Sequence, residues 1–306
     1  MFPRHLSRLR IRLAAAVTVP LLASALALPL VGTAGPAAAG SCGRASGCNR
    51  YELIHAGSTY GWYPAATRNE FITADGARPP RTWSHVGTPF AWSDKFGTLQ
   101  IEQHSGDLYT DWNRSHRTGR WEVRFRSKTG NQRTPSGAPY QVKIELVPTG
   151  TRATRCAPES VLMAGYDPAT AGRTARVGVT RPGFRASAPA TPVGPLFDVV
   201  KWNGTQDEHV GAWRVWAVEV GRDHISWFLD GRVIRRESRP AALIGKPLHL
   251  RLSLLATSPQ MAPAMTQLDW ARYWTLKRTT KARKKVRALR HAPGLTATTA
   301  SPAPGC

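Results

Sequence analysis

Apolar and polar residues alternate through much of the chain, and this alternation predicts β-strands. A period of two is typical of a strand with one face turned inward, and it is clearest in Tyr140–Val147 and Leu248–Leu255. Further strands are predicted at Gly97–Glu102, Arg120–Ser127, Ser160–Ala164, Ala175–Thr180, Trp213–Val220, His224–Leu229, Arg232–Glu237 and Leu268–Leu276. Asp230-Gly231 joins two of these runs as a hairpin turn. Many short strands, without long helical periodicity before the tail, predict an all-β antiparallel sandwich or jelly roll.

The amino terminus has the layout of a secretory signal peptide. Four arginines precede the apolar run Leu13–Val31, and three alanines before Gly40 provide a cleavage site. We therefore expect residues 1–39 to be removed on export and the protein to act outside the cell. No later stretch is long and apolar enough to span a membrane, so the mature chain is expected to lack a transmembrane segment.

Shifts in composition divide the rest of the chain. Residues 40–70 are predicted to form a Gly- and Ser-rich arm, residues 71–276 carry the strands, and residues 277–306 form a basic tail. Within the tail, eight of the fourteen residues from 277 to 290 are basic and none is acidic. We interpret it as an appendage outside the core, which is either a solvated tail or an electrostatic tether to an anionic surface.

Four cysteines are present: Cys42, Cys48, Cys156 and Cys306. An even number in an exported chain predicts disulfides, and four cysteines allow three pairings. One of these joins Cys42 to Cys48 and Cys156 to Cys306. The spacings fit no zinc-ligand pattern. We therefore predict neither a metal nor a cofactor.

The chain is strongly basic, with a formal net charge of +23 at pH 7. Such a field favours acidic polysaccharides, anionic wall polymers, anionic membrane surfaces or nucleic acid. Export, and the lack of a recognition helix or an aromatic–basic motif, argue against nucleic acid. The Ala- and Arg-rich composition is typical of a bacterial protein. We expect a polysaccharide or an anionic cell-wall polymer as the partner.

Four runs, in order, resemble the sequence pattern of glycoside hydrolase family 16, the laminarinase and lichenase group. They are HRTGRWEVRFRS (His116–Ser127), WAVEVGRDHISWFLDG (Trp216–Gly231), PLHLRLSLLA (Pro247–Ala256) and MTQLDWARYW (Met265–Trp274). The resemblance covers about Phe71 to Leu276. It implies a concanavalin A-like jelly roll and, as the family's activity, hydrolysis of a β-glucan or a related polysaccharide.

The catalytic strand of that family has the form E-x-D-x-x-E, or E-x-D-x-E where a bulge is missing. Its two glutamates act as nucleophile and acid/base, and retaining enzymes hold such carboxylates about 5–5.5 Å apart. The resemblance places Glu159 at the nucleophile position and Val161 at the aspartate position. The acid/base position falls on Ala164 with the bulge and on Met163 without it. Two of the three carboxylates are therefore substituted, while Glu145 and Asp167 are candidate replacement acids.

Three functions remain open at this stage. The first is a family 16-like protein that binds a polysaccharide or wall polymer with reduced or absent catalysis. Tryptophan outnumbers phenylalanine and tyrosine, and aromatic faces stack on sugars. The candidate glycan-binding residues are Trp83, Trp92, Trp112 and Trp202. The second function is an active retaining endo-glycosidase that uses Glu159, and the third is a charge-driven binder of anionic surface polymers.

Overall fold

Two antiparallel β-sheets pack face to face and enclose one hydrophobic core. The computed structural model describes residues 55–62, 65–71, 81–89, 91–95, 98–129, 137–166, 168–170, 172–187, 191–192 and 213–277. Within these ranges each sheet has eight strands, and the order of the strands is that of a sandwich rather than a simple meander. The predicted all-β antiparallel class is confirmed.

Most of the helices and strands are separated by short connections along the chain. Helix α1 spans Ala56–Thr59, and single 3-10 turns span Pro168–Thr170 and Pro240–Ala242. The strands are β1 (Thr67–Asn69), β2 (Trp83–Val86), β3 (Ala91–Lys95), β4 (Thr98–Gln103), β5 (Leu108–His116), β6 (Gly119–Thr129), β7 (Gln141–Pro148), β8 (Ser160–Tyr166), β9 (Thr174–Arg181), β10 (Phe184–Ser187), β11 (Thr191–Pro192), β12 (Arg214–Val220), β13 (Ile225–Leu229), β14 (Arg232–Glu237), β15 (Leu248–Leu255) and β16 (Ala264–Trp274).

Sheet A has the order β14-β13-β12-β6-β16-β4-β3, with β1 also paired to β16. Sheet B has the order β10-β9-β8-β7-β15-β5-β2, with β11 also paired to β9. The apolar residues of the alternating runs meet between the two sheets. In β7, for example, Val142, Ile144 and Leu146 belong to the core cluster. Alternation along the sequence therefore placed the inner face of the predicted strands correctly.

The outer faces of the two sheets are also partly covered by the chain itself. The N-terminal segment, residues 55–62, lies on sheet A, where Trp62 packs with Phe228 and Trp274. The strap, residues 149–159, joins β7 to β8 and lies on sheet B. All eight residues of β7 and of β15 are buried as a result, including the polar ones. The strand β1 pairs with β16, so sheet A begins before residue 71, the predicted start of the domain.

Several sequence-based predictions lie outside the described residues. These are the signal peptide (1–39), the first part of the arm (40–54), nearly all of the basic tail (278–306), Trp202, Asp167, Cys42, Cys48 and Cys306. The cysteine pairing therefore stays a prediction. Among the described residues, no helix is long and apolar enough to cross a membrane.

Candidate functional site

Strand β8 is the strand to which the family resemblance assigned the catalytic motif. It is paired with β7 and β9 in the middle of one half of sheet B. Its pairing register with β7 shifts by one residue, and Glu145 lies opposite Leu162 while Ile144 lies opposite Ala164. A bulge of this kind changes which residues share a face. The bulge that the longer form of the motif requires is therefore present in β8.

The register turns the predicted motif positions inward. Val161 and Ala164 belong to the core cluster between the sheets, and so does Met163 at the bulge. The same i, i+2, i+5 spacing on the outer face falls instead on Ser160, Leu162 and Gly165. Side chains alternate across a strand, so an assignment that is displaced by one residue moves every position to the opposite face. None of the three outward positions carries a carboxylate.

Glu159 lies immediately before β8, at the end of the strap. Its carboxylate forms a short salt bridge with the ammonium group of Lys246, in the turn that precedes β15. The glutamate side chain is 12% exposed, whereas the lysine is 57% exposed. Glu159 is thus a partly buried anion neutralised by one surface cation.

Buried cations of sheet B hold the strap. The ammonium group of Lys143 donates to the carbonyl oxygen of Arg155 at 2.5 Å. Arg251 donates to the carbonyl oxygens of Thr151 and Arg152 at 3.1 and 3.3 Å. Arg155 itself reaches back, with a bidentate pair to Asp107 at 2.7 and 2.8 Å. The strap is therefore held over the outer face mainly by hydrogen bonds from cations to backbone carbonyl groups.

Two carboxylates lie under the strap beside these cations. Asp111 accepts two hydrogen bonds from Arg251, at 2.7 and 2.9 Å. Burial by itself raises the pKa of Asp111, but the hydrogen bonds from Arg251 and His249 outweigh it, so the pKa lies below its usual value. Glu145 is 1% exposed, and its Oε1 is 3.8 Å from the ammonium nitrogen of Lys143, with no hydrogen-bond partner. The proposed replacement acid is thus buried within an ionic layer and screened from a cleft.

A cavity of about 520 Å³ opens at the edge of the strap. Its floor is formed by outward side chains of four neighbouring strands, Lys143, Ser160, Thr180 and Arg185. Thr180 is the cross-strand neighbour of both Ser160 and Arg185, so these three form a row across β8, β9 and β10. The strap residues 156–158 form one wall, and the β9–β10 turn with Arg181 and Phe184 forms the other.

Two of the tryptophans predicted to bind glycan, Trp83 and Trp112, are not among the residues that line this cavity. Trp83 and Trp112 are 5% and 1% exposed and stack on each other inside the core, at 5.9 Å between ring centroids. Both occupy inward positions of β2 and β5, within the core between the sheets. Trp92 lies on β3. The sequence analysis did not identify the basic residues of the cavity as site residues. The alternation in β7 placed Lys143 on the polar face of that strand, but no pattern indicated a role for Arg181 or Arg185.

Two solved structures have the same fold as this chain. One is a mutant of SCLam, a non-specific endo-beta-1,3(4)-glucanase from family GH16, crystallised with an oligosaccharide. Its TM-score is 0.51 at 14% identity, over 69% of this chain and 94% of that chain. The other is the catalytic domain of an endo-1,3-beta-glucanase (laminarinase) from Thermotoga petrophila RKU-1. Its TM-score is 0.50 at 14% identity, over 70% of this chain and 98% of that chain. No family model and no curated protein matches the sequence.

Proposed function

We propose that this chain, which has the jelly-roll fold of family 16 glucanases, is an exported protein that binds a polysaccharide without cleaving it. The observation that carries the proposal is the outward face of β8. Ser160, Leu162 and Gly165 stand at the spacing of the family's three carboxylates, and none of them carries the carboxyl group that the retaining mechanism uses as nucleophile or acid/base. A general acid or base contributes about 10²–10⁴-fold to such a rate, so its loss alone makes hydrolysis very slow.

The covered state of sheet B supports binding over hydrolysis as well. β8 is buried along its whole length, and the strap occupies the face of β7 and β15 beside it. Glu145 lies beneath that cover and is engaged with Lys143. Among the described residues, the cavity at the β8–β10 edge can receive part of a polymer, and none of the described residues that line it is a carboxylate.

An active glycosidase is the competing function, and it would rely on Glu159. Retention requires a second carboxyl group about 5–5.5 Å from the nucleophile. Glu159 is instead held by the ammonium group of Lys246. An ammonium partner is not the second carboxyl group that protonates the leaving oxygen in the retaining mechanism.

A direct test is a reducing-end assay of the purified protein on laminarin, lichenan, agarose and carrageenan. We expect no release of reducing ends above the protein-free control. The same polymers, immobilised in affinity gels, should retard the protein. Glu159→Gln should bind as the unsubstituted protein does, because the proposed binding does not use Glu159.

The matched control is Glu102→Gln, a partly buried glutamate of sheet A that accepts from Gln100. Turnover that is lost in Glu159→Gln and kept in Glu102→Gln would establish the glycosidase and overturn the proposal. Failure of every polymer to retard the protein would overturn it as well.

A further inference from the structure

The cavity beside the strap has an unusual balance of charge. Its lining includes three basic side chains, Lys143, Arg181 and Arg185, and none of the lining residues that the structure describes is acidic. The nearby Glu145 faces Lys143 from under the strap at 3.8 Å, and it does not line the cavity. A concave site lined by one sign of charge concentrates ions of the opposite sign.

Two of these cations are held in place by backbone groups. Arg181 donates to the carbonyl oxygens of Ala241 and Leu243 at 3.1 and 2.6 Å. Lys143 is 1% exposed and donates to the carbonyl of Arg155. Carbonyl groups orient the guanidinium of Arg181 without adding a negative formal charge, whereas Lys143 also has the carboxylate of Glu145 at 3.8 Å. The third cation, Arg185, is exposed at the outer edge of the row.

The remaining lining suits a sugar ring. Ser160 and Thr180 place two hydroxyl groups on the floor between Lys143 and Arg185. Phe184 lines the opposite wall, and the guanidinium of Arg239 lies 4.7 Å from its ring centroid. An apolar ring face, hydroxyl groups and guanidinium donors together match a ligand with a flat apolar side, hydroxyl groups and an anionic substituent. The volume lies within the range of small-molecule sites.

We infer that the cavity binds a sugar residue that carries an anionic group, and that the polymer recognised by this protein is an acidic polysaccharide. The carboxylate, sulfate or phosphate group pairs with Arg185 and Arg181, because the guanidinium group matches such oxyanions with two parallel hydrogen bonds. The hydroxyl groups of Ser160 and Thr180 contact the sugar from the floor, and the sugar ring packs against Phe184. The inference rests on the proposed function, since it specifies the polymer bound at the same face of sheet B.

The test must separate a site from the effect of a strongly basic chain. We would titrate the full protein by calorimetry in 0.15 M NaCl, which reduces the Debye length to about 8 Å. The probes are a galacturonate trisaccharide, a sulfated galactan trisaccharide, a phosphorylated mannan trisaccharide and an uncharged galactan trisaccharide. We expect saturable binding of at least one acidic probe at one per chain, and binding of the uncharged probe at least tenfold weaker. The three acidic arms identify which oxyanion the site takes.

Arg185→Gln is the informative variant, because the side chain is exposed and its loss does not disturb the core. Removal of a charge-assisted contact should weaken the acidic probe by about tenfold or more. The matched control is Arg222→Gln, an exposed arginine in the β12–β13 turn of sheet A, which removes the same charge and should leave the affinity unchanged.

Equal weakening by Arg185→Gln and Arg222→Gln would overturn the inference, because it would indicate bulk charge alone. Equal binding of the charged and uncharged probes, or binding of none of them, would overturn it too. In either of those cases, retention of the protein by laminarin or lichenan gels would leave the proposed polysaccharide binding intact. If no polymer retarded the protein, both this inference and the proposed polysaccharide binding would be overturned.

Discussion

The two sheets are covered by chain segments that are held in opposite ways. On sheet A, the buried carboxylate of Glu122 accepts hydrogen bonds from the amides of Ala56 and Gly57, at 2.6 and 3.3 Å, and lies 3.0 Å from His55. On sheet B, buried cations donate to carbonyl oxygens of the strap. The N-terminal segment also contributes Trp62 to an aromatic cluster, whereas the strap buries little more than Ala157.

This difference indicates which face is available for a ligand. Burial of an aromatic side chain against other rings contributes several kcal/mol to stability in addition to a polar anchor. We therefore expect the N-terminal segment to stay bound to sheet A. The contacts between the strap and the other described residues are mostly polar, and such contacts are individually worth about 1 kcal/mol. It borders the cavity with its residues 156–158, so the weaker cover and the candidate binding site lie together.

The largest predicted effect is on the cover of sheet A. Trp62 is fully buried and lies edge-on to Phe228 and Trp274, at 5.2 and 5.6 Å between ring centroids. Trp62→Ala should lower the free energy of unfolding by about 3–5 kcal/mol, measured by urea denaturation. Val86→Ala, at a position that is 55% exposed, is the control and should change it by less than about 0.5 kcal/mol. A small loss in Trp62→Ala would mean that the aromatic cluster does not hold the segment.

The polar anchor of the same segment should have the next largest effect. Glu122→Gln keeps the shape of the side chain but removes the charge that accepts from two amides. We expect the free energy of unfolding to fall by about 2 kcal/mol, since hydrogen bonds to a charged group are worth about 1.5–3 kcal/mol. Hydrogen exchange of residues 55–62 should accelerate while that of the strap stays constant. Unchanged exchange in residues 55–62 would contradict the anchoring role.

A substitution in the strap should have a smaller effect on the free energy of unfolding. Arg155→Gln removes the pair with Asp107 and the hydrogen bond to the carbonyl of Ala256. Because Arg155 is 45% exposed, we expect a loss of only about 1 kcal/mol in unfolding free energy. Exchange of residues 149–159 should nevertheless increase, and exchange of residues 55–62 should not. Equal acceleration in both segments would show that the two covers are coupled.

Acid should weaken the layer under the strap. The pKa of Asp111 is lowered in the folded protein, chiefly because hydrogen bonds from Arg251 overcome the effect of burial. Its stabilising contribution is therefore present above the unfolded-state pKa of about 3.9 and is lost as the pH falls through the lowered folded value. At pH 7, Asp111→Asn should have a lower free energy of unfolding than the unsubstituted protein. The difference between the two free energies, measured by urea denaturation, should be smaller at pH 3. A gap that is independent of pH would contradict this assignment.

The alternation of residues was sufficient to predict most of the fold. β14 and β15 have the predicted bounds. In β15 the inward residues Leu248, Leu250, Leu252 and Leu254 are apolar at every second position, and β14 follows the predicted hairpin turn Asp230-Gly231. β5 was missed because Thr110 takes an inward position and Tyr109 an outward one, which removes the contrast between its faces. The segments that cover the sheets were not predicted, since most of their contacts join residues about 48–100 positions apart.

The candidate site was less accessible to sequence reasoning. The family resemblance assigned Glu159 to the first motif position. The pairing register then displaced the outward series by one residue, to begin at Ser160. A sequence pattern cannot fix such a shift when the carboxylates that would mark it are absent. The cavity cations come from β7, β9 and β10, and only the pairing of those strands brings them together.

The most direct test of the account is the hydrogen-exchange footprint of a bound polymer. The protein would be saturated with the polysaccharide that retards it most strongly, and protection would be mapped along the chain. The account predicts protection of the strap and of residues 180–185, with no change in the N-terminal segment. Protection confined to residues 55–62 and the strands of sheet A, or spread evenly over basic surface segments, would contradict the assignment of binding to sheet B.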